Sequence, residues 1–181
     1  MRSFSTLRQK YLVETAELAD LLKSNSSDLR VLNCTTGPDA KDNHLAKRIS
    51  ASTLYYSIKD ATEPGSKLPN TFPPTQVFTD VARKIGVRRT DTIICYDDIN
   101  FSAARAAWMF RYFGAENVRV LDGGLTKWLH EGREVFNGPQ EMPQEVDGDY
   151  NYEAVDESEL IMDINTVHQA AYYITNKASN W

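Results

Sequence analysis

Residues Thr92–Trp128 read TIICYDDINFSAARAAWMFRYFGAENVRVLDGGLTKW and carry the clearest pattern of strands and helices in the chain. Its opening residues are mostly apolar and β-branched, which is typical of a strand covered on both faces. The alanine-rich part that follows has the composition of a helix. The pattern predicts five successive elements: a strand at Thr92–Tyr96, a loop at Asp97–Phe101, a helix at Ser102–Phe113, a strand at Val118–Leu121 and a short helix at Leu125–His130. Gly123 and Gly124 before the last helix predict a tight turn that needs positive φ.

The residues before this stretch alternate between strand-like and helix-like patterns. Predicted elements are a helix at Leu12–Lys23, strands at Leu29–Asn33 and Thr53–Ile58, a surface connection at Asp60–Pro74, and a helix that Thr75 caps and Gly86 ends. Strands that alternate with helices require crossovers, so they predict a parallel sheet with helices on both faces. The expected fold class is a three-layer α/β/α domain with a central, mainly parallel sheet. Ligands of such sheets bind at the carboxyl ends of the strands, where the Asp97–Phe101 loop lies.

Composition excludes several functional classes. The chain has 181 residues, 41% of them hydrophobic and 25% charged, and a formal net charge of −5. That charge argues against general binding to nucleic acid, and no apolar run is long enough to predict a membrane span. The two cysteines, Cys34 and Cys95, suit a reducing compartment and no disulfide framework. Neither they nor the three scattered histidines have metal-ligand spacing, so no metal or cofactor is predicted.

The N-terminal arm, residues 1–10, differs in charge from the rest of the chain. It contains Arg2, Arg8 and Lys10, and no acidic residue precedes Glu14. This composition is that of a mitochondrial targeting segment or its remnant, and the alternative is a basic arm without that role. The predicted location is therefore mitochondrial, and otherwise cytoplasmic.

The loop between the first predicted strand and helix of Thr92–Trp128 is suited to anion binding. The first amides of a helix lack intrahelical partners, and the helix dipole adds positive potential there. A cysteine at the start of such a loop would be a good nucleophile because its thiolate would be stabilised.

Two motifs in this stretch, Phe101–Gly114 and Val118–Trp128, resemble a known family. They are similar to the N-terminal domain of the tandem thiosulfate and 3-mercaptopyruvate sulfurtransferases, which are rhodanese-like proteins, and the resemblance extends over about Tyr11–Pro139. It implies a rhodanese-like domain at residues 11–137. A linker at 138–150 and a C-terminal helical tail at 151–181 would follow, the tail as a vestige of a second rhodanese domain.

In that family the persulfide-forming cysteine lies in the C-terminal domain, and the N-terminal domain usually has an aspartate there. The family spacing, counted back from Ser102, places this position at Asp97, so an acid occupies the nucleophile position. The resemblance makes six residues the active-site-loop equivalents: Asp97, Asp98, Ile99, Asn100, Phe101 and Ser102. Two carboxylates would repel an anionic substrate, and Asp97 can itself accept hydrogen bonds from the loop amides.

Three further residues are candidates for chemistry. Cys95 is a weak candidate nucleophile, because a thiol within an apolar strand is more often a small core residue. Cys34 ends another strand and is likewise expected to be a buried thiol. Arg105 is a candidate contact for an anion or a partner carboxylate, although an arginine on a helix is more often merely solvated.

Three functional hypotheses follow. The favoured one is a catalytically inactive rhodanese-like module that acts as a structural or interaction subunit of a larger, mitochondrial protein complex, with the arm and the tail as docking elements. The second is an active sulfurtransferase that carries a persulfide on Cys95. The third is that the chain is a fragment of a tandem enzyme, so that its function depends on residues not in the sequence.

Overall fold

The computed structural model describes residues 4–55, 61–68, 70–98, 101–140 and 165–171. Strands and helices alternate along the main body. In chain order they are α1 (Phe4–Tyr11), β1 (Leu12–Val13), α2 (Thr15–Ser24), β2 (Leu29–Asn33), α3 (Ala40–Ala46), β3 (Ser52–Leu54), α4 (Thr75–Lys84), β4 (Thr92–Tyr96), α5 (Phe101–Tyr112), β5 (Asn117–Leu121) and α6 (Gly124–His130). Residues 165–171 form one more helix, α7.

The five strands form one parallel sheet in the order β1-β5-β4-β2-β3. β4 is the central strand and pairs with β2 on one side and β5 on the other. Every connection between neighbouring parallel strands must cross over the sheet, which is why a helix separates each strand from the next. The carboxyl end of β4 therefore lies in the middle of one edge of the sheet.

Each face of the sheet is covered by its own apolar layer. Ile93 and Cys95 of β4 join one cluster, which includes Phe78 of α4 and Phe110 of α5. Ile94 of β4 points to the opposite cluster. Leu18 of α2 and Leu125 and Trp128 of α6 complete this second cluster. Both faces of β4 are thus covered by apolar side chains, which confirms the predicted three-layer α/β/α architecture with a parallel sheet.

The predicted helix at Leu12–Lys23 was wrong at its start. Leu12 and Val13 form β1, which pairs with Val120 and Leu121 of β5, and the helix runs over Thr15–Ser24. The apolar periodicity of this segment fits either structure locally. The strand is favoured because β5 would otherwise leave its backbone groups unpaired at the edge of the sheet.

Other boundaries also differ from the sequence predictions. No side-chain hydrogen bond caps α4, which begins at Thr75 directly after Pro74, so the cap predicted at Thr75 was wrong. α5 begins at Phe101, one residue before the predicted start. β3 covers Ser52–Leu54 only, and the rest of the predicted strand from residue 56 lies outside the described residues. Helices α1 and α3 were not predicted at all.

The connection and the tail are described only in part. Within the predicted Asp60–Pro74 connection, the described residues contain no helix or strand. Of the predicted tail at 151–181, only α7 is described, and its residues are exposed. Leu160, Ile161 and Ile164, which suggested the tail helix, lie outside the described residues. Within the described part of the chain, no helix has the length and apolar character that a membrane crossing requires.

A buried histidine on α3 joins three parts of the body. The side-chain amide of Asn33 donates to His44 Nδ1 over 3.0 Å, and its oxygen accepts from the Thr35 amide. Because Nδ1 accepts, the proton of the neutral ring lies on Nε2, which donates to Gln140 Oε1 over 2.5 Å. Burial lowers the pKa of His44 from its ordinary value of 6.5, the contact with Gln140 raises it, and the charge of Arg48 lowers it.

This network predicts a loss of stability in acid. Because the pKa of His44 is lower in the folded chain, the unfolded chain binds more protons once the pH falls below about 6.5. The free energy of unfolding should therefore fall between about pH 7 and pH 5, and His44→Gln should flatten this dependence although it costs stability at pH 7. Urea unfolding at several pH values measures the free energy of unfolding at pH 7 and its change with pH. His130→Gln, at an exposed position on α6, is the matched control, and an equal slope in wild type and His44→Gln would contradict the assignment.

Candidate functional site

The junction between β4 and α5 is built around one buried carboxylate. Asp97 follows the last residue of β4 and is 2% exposed. Its Oδ2 accepts hydrogen bonds from the backbone amides of Ser102, over 2.6 Å, and Ala103, over 2.9 Å. These are amides of the first turn of α5, which no helical carbonyl can satisfy. The carboxylate also places negative charge at the positive end of the helix dipole.

The backbone of the same loop is tied to the start of α6. The carbonyl of Asp97 accepts from the Leu125 amide over 2.8 Å, and the carbonyl of Asp98 accepts from the Thr126 hydroxyl over 2.8 Å. The approach depends on the turn before α6, where Gly123 and Gly124 have φ of +78° and +56°. This confirms the predicted glycine turn. Residues 99 and 100 of the loop lie outside the described residues, so the predicted roles of Ile99 and Asn100 have no structural counterpart here.

A polar cavity of about 480 Å³ adjoins this junction at the carboxyl edge of the sheet. It lies between the ends of β2, α3 and α6. Its polar lining consists of Asn33, Thr35, Asn43, Lys47, Asp98 and Thr126. The hydroxyl of Thr35 is buried and has no hydrogen-bond partner among the described residues. The cavity therefore offers both charges and at least one unsatisfied polar atom.

Asp98 lies on the wall of this cavity, where the ionised form of its carboxyl group is disfavoured. Burial raises the pKa of its carboxyl group, the neighbouring charge of Asp97 raises it further, and Lys47 lowers it. An anion entering the cavity would meet one cation, Lys47, and the carboxylate of Asp98, so the lining has no excess of positive charge. The electrostatics therefore do not favour a small dianion such as thiosulfate.

A comparison with known proteins identifies the family. A sequence profile of the rhodanese-like domain matches residues 14–131. The chain belongs to the rhodanese-like domain family. The 3-mercaptopyruvate sulfurtransferase of Escherichia coli strain K12 is 36% identical over 104 residues, which is 56% of this chain and 37% of that protein. The chain therefore spans well under half the length of this relative.

Solved structures agree with this rhodanese-like fold. The 3-mercaptopyruvate sulfotransferase SseA from Escherichia coli superposes with a TM-score of 0.75 and 26% identity, covering 90% of this chain and 62% of that one. The yeast mitochondrial complex I sub-stoichiometric sulfur transferase subunit superposes with a TM-score of 0.67 and 26% identity. That match covers 87% of this chain and 56% of the yeast subunit.

Both thiols of this rhodanese-like domain are buried. Cys95 and Cys34 are free cysteines with no exposed surface, and they lie in the apolar cluster on the α4 and α5 face of the sheet. Burial raises the pKa of the Cys34 thiol well above its usual range, as does the neighbouring Cys95. Among the described residues, no three or more His, Cys, Asp or Glu side chains converge as a metal site.

Arg105 lies away from the Asp97 junction. Its guanidinium donates to the carbonyls of Asn70, over 3.1 Å, and Thr71, over 3.0 Å, and contacts the Met109 sulfur. Burial lowers the pKa of Arg105 below its usual range. The side chain thus stabilises the connection before α4 in this structure. A contact with an anion or a partner remains a prediction.

Sequence reasoning found the loop but not the cavity beside it. Thr35, Lys47 and Thr126 come from three segments that carry no common motif. The one available signal was that β2 and β4 were both predicted as buried parallel strands, so the residues following them would share an edge.

The contact of Asp97 predicts a stability difference between adjacent aspartates. Asp97→Ala leaves two buried amides without an acceptor and should cost about 1–3 kcal/mol of unfolding free energy. Asp97→Asn keeps an acceptor oxygen and should cost less. The matched control is Asp98→Ala. Because burial and the charge of Asp97 disfavour the ionised form of Asp98, removing this side chain should change the free energy of unfolding little at pH 7. Urea unfolding would contradict the assignment if Asp97→Ala were no less stable than Asp98→Ala.

Proposed function

We propose that this rhodanese-like chain does not itself transfer sulfur, and that it acts as a structural or interaction subunit. The observation that supports this most directly is that Asp97 Oδ2 accepts hydrogen bonds from two backbone amides at the start of α5. The family resemblance assigns the nucleophile position to this residue. A carboxylate there provides no thiolate to accept a sulfur atom, and it occupies amides that an anionic substrate would otherwise bind.

The alternative is an active sulfurtransferase, the function named for the relatives. In that reaction the Cys95 thiolate would attack the outer sulfur of thiosulfate, release sulfite and form a persulfide. A cyanide ion would then take the sulfur as thiocyanate and restore the thiolate. Burial of Cys95 in the apolar cluster argues against this alternative, because a substrate must reach the nucleophilic sulfur and Cys95 has no exposed surface.

We further propose that the chain acts within a mitochondrial protein complex. Support comes from the likeness to the yeast mitochondrial complex I subunit and from the basic residues of the N-terminal arm. The arm is anchored to the body, since Arg8 pairs with Glu14 over 2.7 Å and with Asp122 over 2.8 Å. Under this proposal the chain binds larger protein subunits. A fragment of a tandem enzyme remains the third hypothesis.

The first test is the sulfurtransferase assay. With thiosulfate or 3-mercaptopyruvate as donor and cyanide as acceptor, the purified chain should form no more thiocyanate than buffer does. Cys95→Ser should be indistinguishable from wild type. Thiocyanate formation that is present in wild type and lost in Cys95→Ser would overturn the inactive assignment and establish the alternative.

The second test addresses the assembly separately. In detergent extracts of mitochondria separated on native gels, the tagged chain should migrate with a complex much larger than its own 20.5 kDa. Arg8→Glu lowers the charge of the arm from +3 to +1 and breaks its pairs with Glu14 and Asp122. It should weaken this association, and Lys23→Glu on α2 is the matched control. Migration of the wild-type chain as a free monomer would contradict the subunit role without bearing on activity.

A further inference from the structure

The polar cavity at the carboxyl edge of the sheet has two charges of opposite sign on its wall. Lys47, the residue after α3, and Asp98, in the loop after β4, both line it. Among the described residues, neither side chain has a hydrogen-bond partner or an ion-pair partner. Burial and the charge of Asp97 raise the pKa of Asp98, and the charge of Lys47 lowers it. The two charges thus act on each other across one space without a direct contact.

The Asp98 side of the cavity offers hydrogen-bond acceptors, and we call it the acceptor end. The Thr126 hydroxyl donates its single hydrogen to the Asp98 carbonyl over 2.8 Å. Its oxygen can therefore only accept a hydrogen bond from a ligand. A carboxylate is likewise an acceptor when it is ionised. Asp98 and Thr126 together suit a ligand group that donates several hydrogen bonds and is positively charged.

The Lys47 side of the cavity offers hydrogen-bond donors, and we call it the donor end. The Lys47 backbone amide donates to the Asn43 carbonyl over 2.9 Å, so the two residues are neighbours at the end of α3. Both line the cavity, and the side-chain amide of Asn43 has no partner among the described residues. An ammonium group and a side-chain amide can each donate to a carboxylate. This end suits a ligand group that is negatively charged.

The two ends together select against a ligand with a single charge. An anion at the donor end is repelled by Asp98, and a cation at the acceptor end is repelled by Lys47. A ligand with one group of each sign pairs with both side chains and is repelled by neither. The partly buried carboxylate of Asp98 gains most, because a bound cation offsets the cost of its burial.

We propose that this cavity binds a free α-amino acid in its zwitterionic form. The ammonium group lies at the acceptor end and accounts for the unpaired carboxylate of Asp98. The carboxylate group of the ligand lies at the donor end, against Lys47 and Asn43. This inference does not depend on whether the chain transfers sulfur.

The remaining lining determines the side chain of the amino acid. Ala46, Leu125 and Leu129 are the apolar residues of the cavity wall. A volume of about 480 Å³ lies within the range of sites for small molecules. A small apolar side chain fits this wall, whereas a third charge would have no partner on it. L-valine is therefore the probe with the expected chemistry.

Amide chemical shifts of the isotope-labelled full chain measure binding in the cavity. L-valine should shift the amides of Asn43 and Thr126 along a saturable curve, with a dissociation constant in the millimolar range because the ligand has few atoms. Isobutylamine keeps the ammonium group without the carboxylate, and 3-methylbutanoate keeps the carboxylate without the ammonium group. At equal ionic strength each should bind at least about fivefold more weakly than L-valine, because one charge pair is lost.

Two substitutions assign the ends of the ligand. Lys47→Gln and Asp98→Asn should each weaken L-valine binding about fivefold. Their effects on 3-methylbutanoate should differ in sign: Lys47→Gln weakens its binding, and Asp98→Asn strengthens it by removing a repulsive charge. The matched controls are Lys41→Gln and Asp42→Asn, at exposed positions of α3 that do not line the cavity. Both should leave the affinity for L-valine unchanged.

Three outcomes would overturn the proposal. The first is the absence of a saturable shift of the cavity amides with L-valine up to about 50 mM. The second is an affinity for isobutylamine or 3-methylbutanoate equal to that for L-valine, because the site would then recognise one charge only. The third is an equal loss of affinity in Lys47→Gln and Lys41→Gln, because the effect would then come from the overall charge of the chain.

Discussion

The contact between the Asp97 carboxylate and the first amides of α5 is the interaction on which the centre of the structure depends. Asp97 follows the middle strand of the sheet, and its side chain and carbonyl bind the starts of α5 and α6, respectively. A single residue thereby fixes two helices of opposite layers to one strand end. A charged acceptor forms stronger hydrogen bonds than a neutral one and also complements the helix dipole, so the protein itself satisfies these two amides.

In the proposed inactive role, that same contact is what distinguishes the chain from its sulfurtransferase relatives. A rhodanese-like sheet presents the end of its central strand and a helix start at one edge, an arrangement that can bind an anion beside a thiolate. Here the helix amides have an acceptor from the protein itself. The two thiols are in the apolar layer beneath the edge, and neither has exposed surface that a substrate could reach. The polar cavity nearby is lined by one cation, Lys47, and one carboxylate, Asp98, so its charges do not favour an anion.

Away from the edge, charge and apolar surface are distributed unevenly. The body is mildly basic, and α5 has aromatic side chains in solvent with arginine and lysine around them. The net negative charge of the whole chain hides this, because one acidic stretch outweighs the body. For a protein of this kind, a net charge therefore says little about which partner a given surface binds.

The elements that could be predicted from the sequence are those whose patterns are local. The apolar runs at Thr92–Tyr96 and Leu29–Asn33 gave the central strands correctly, since a strand buried on both faces needs apolar residues throughout. Gly123 and Gly124 gave the turn, since few other residues adopt positive φ. Tertiary structure alone decided β1, because Leu12 and Val13 become a strand only by pairing with residues more than a hundred positions away. The cavity also depends on the tertiary structure, because its lining comes from four segments that meet only when the parallel strands align their carboxyl ends.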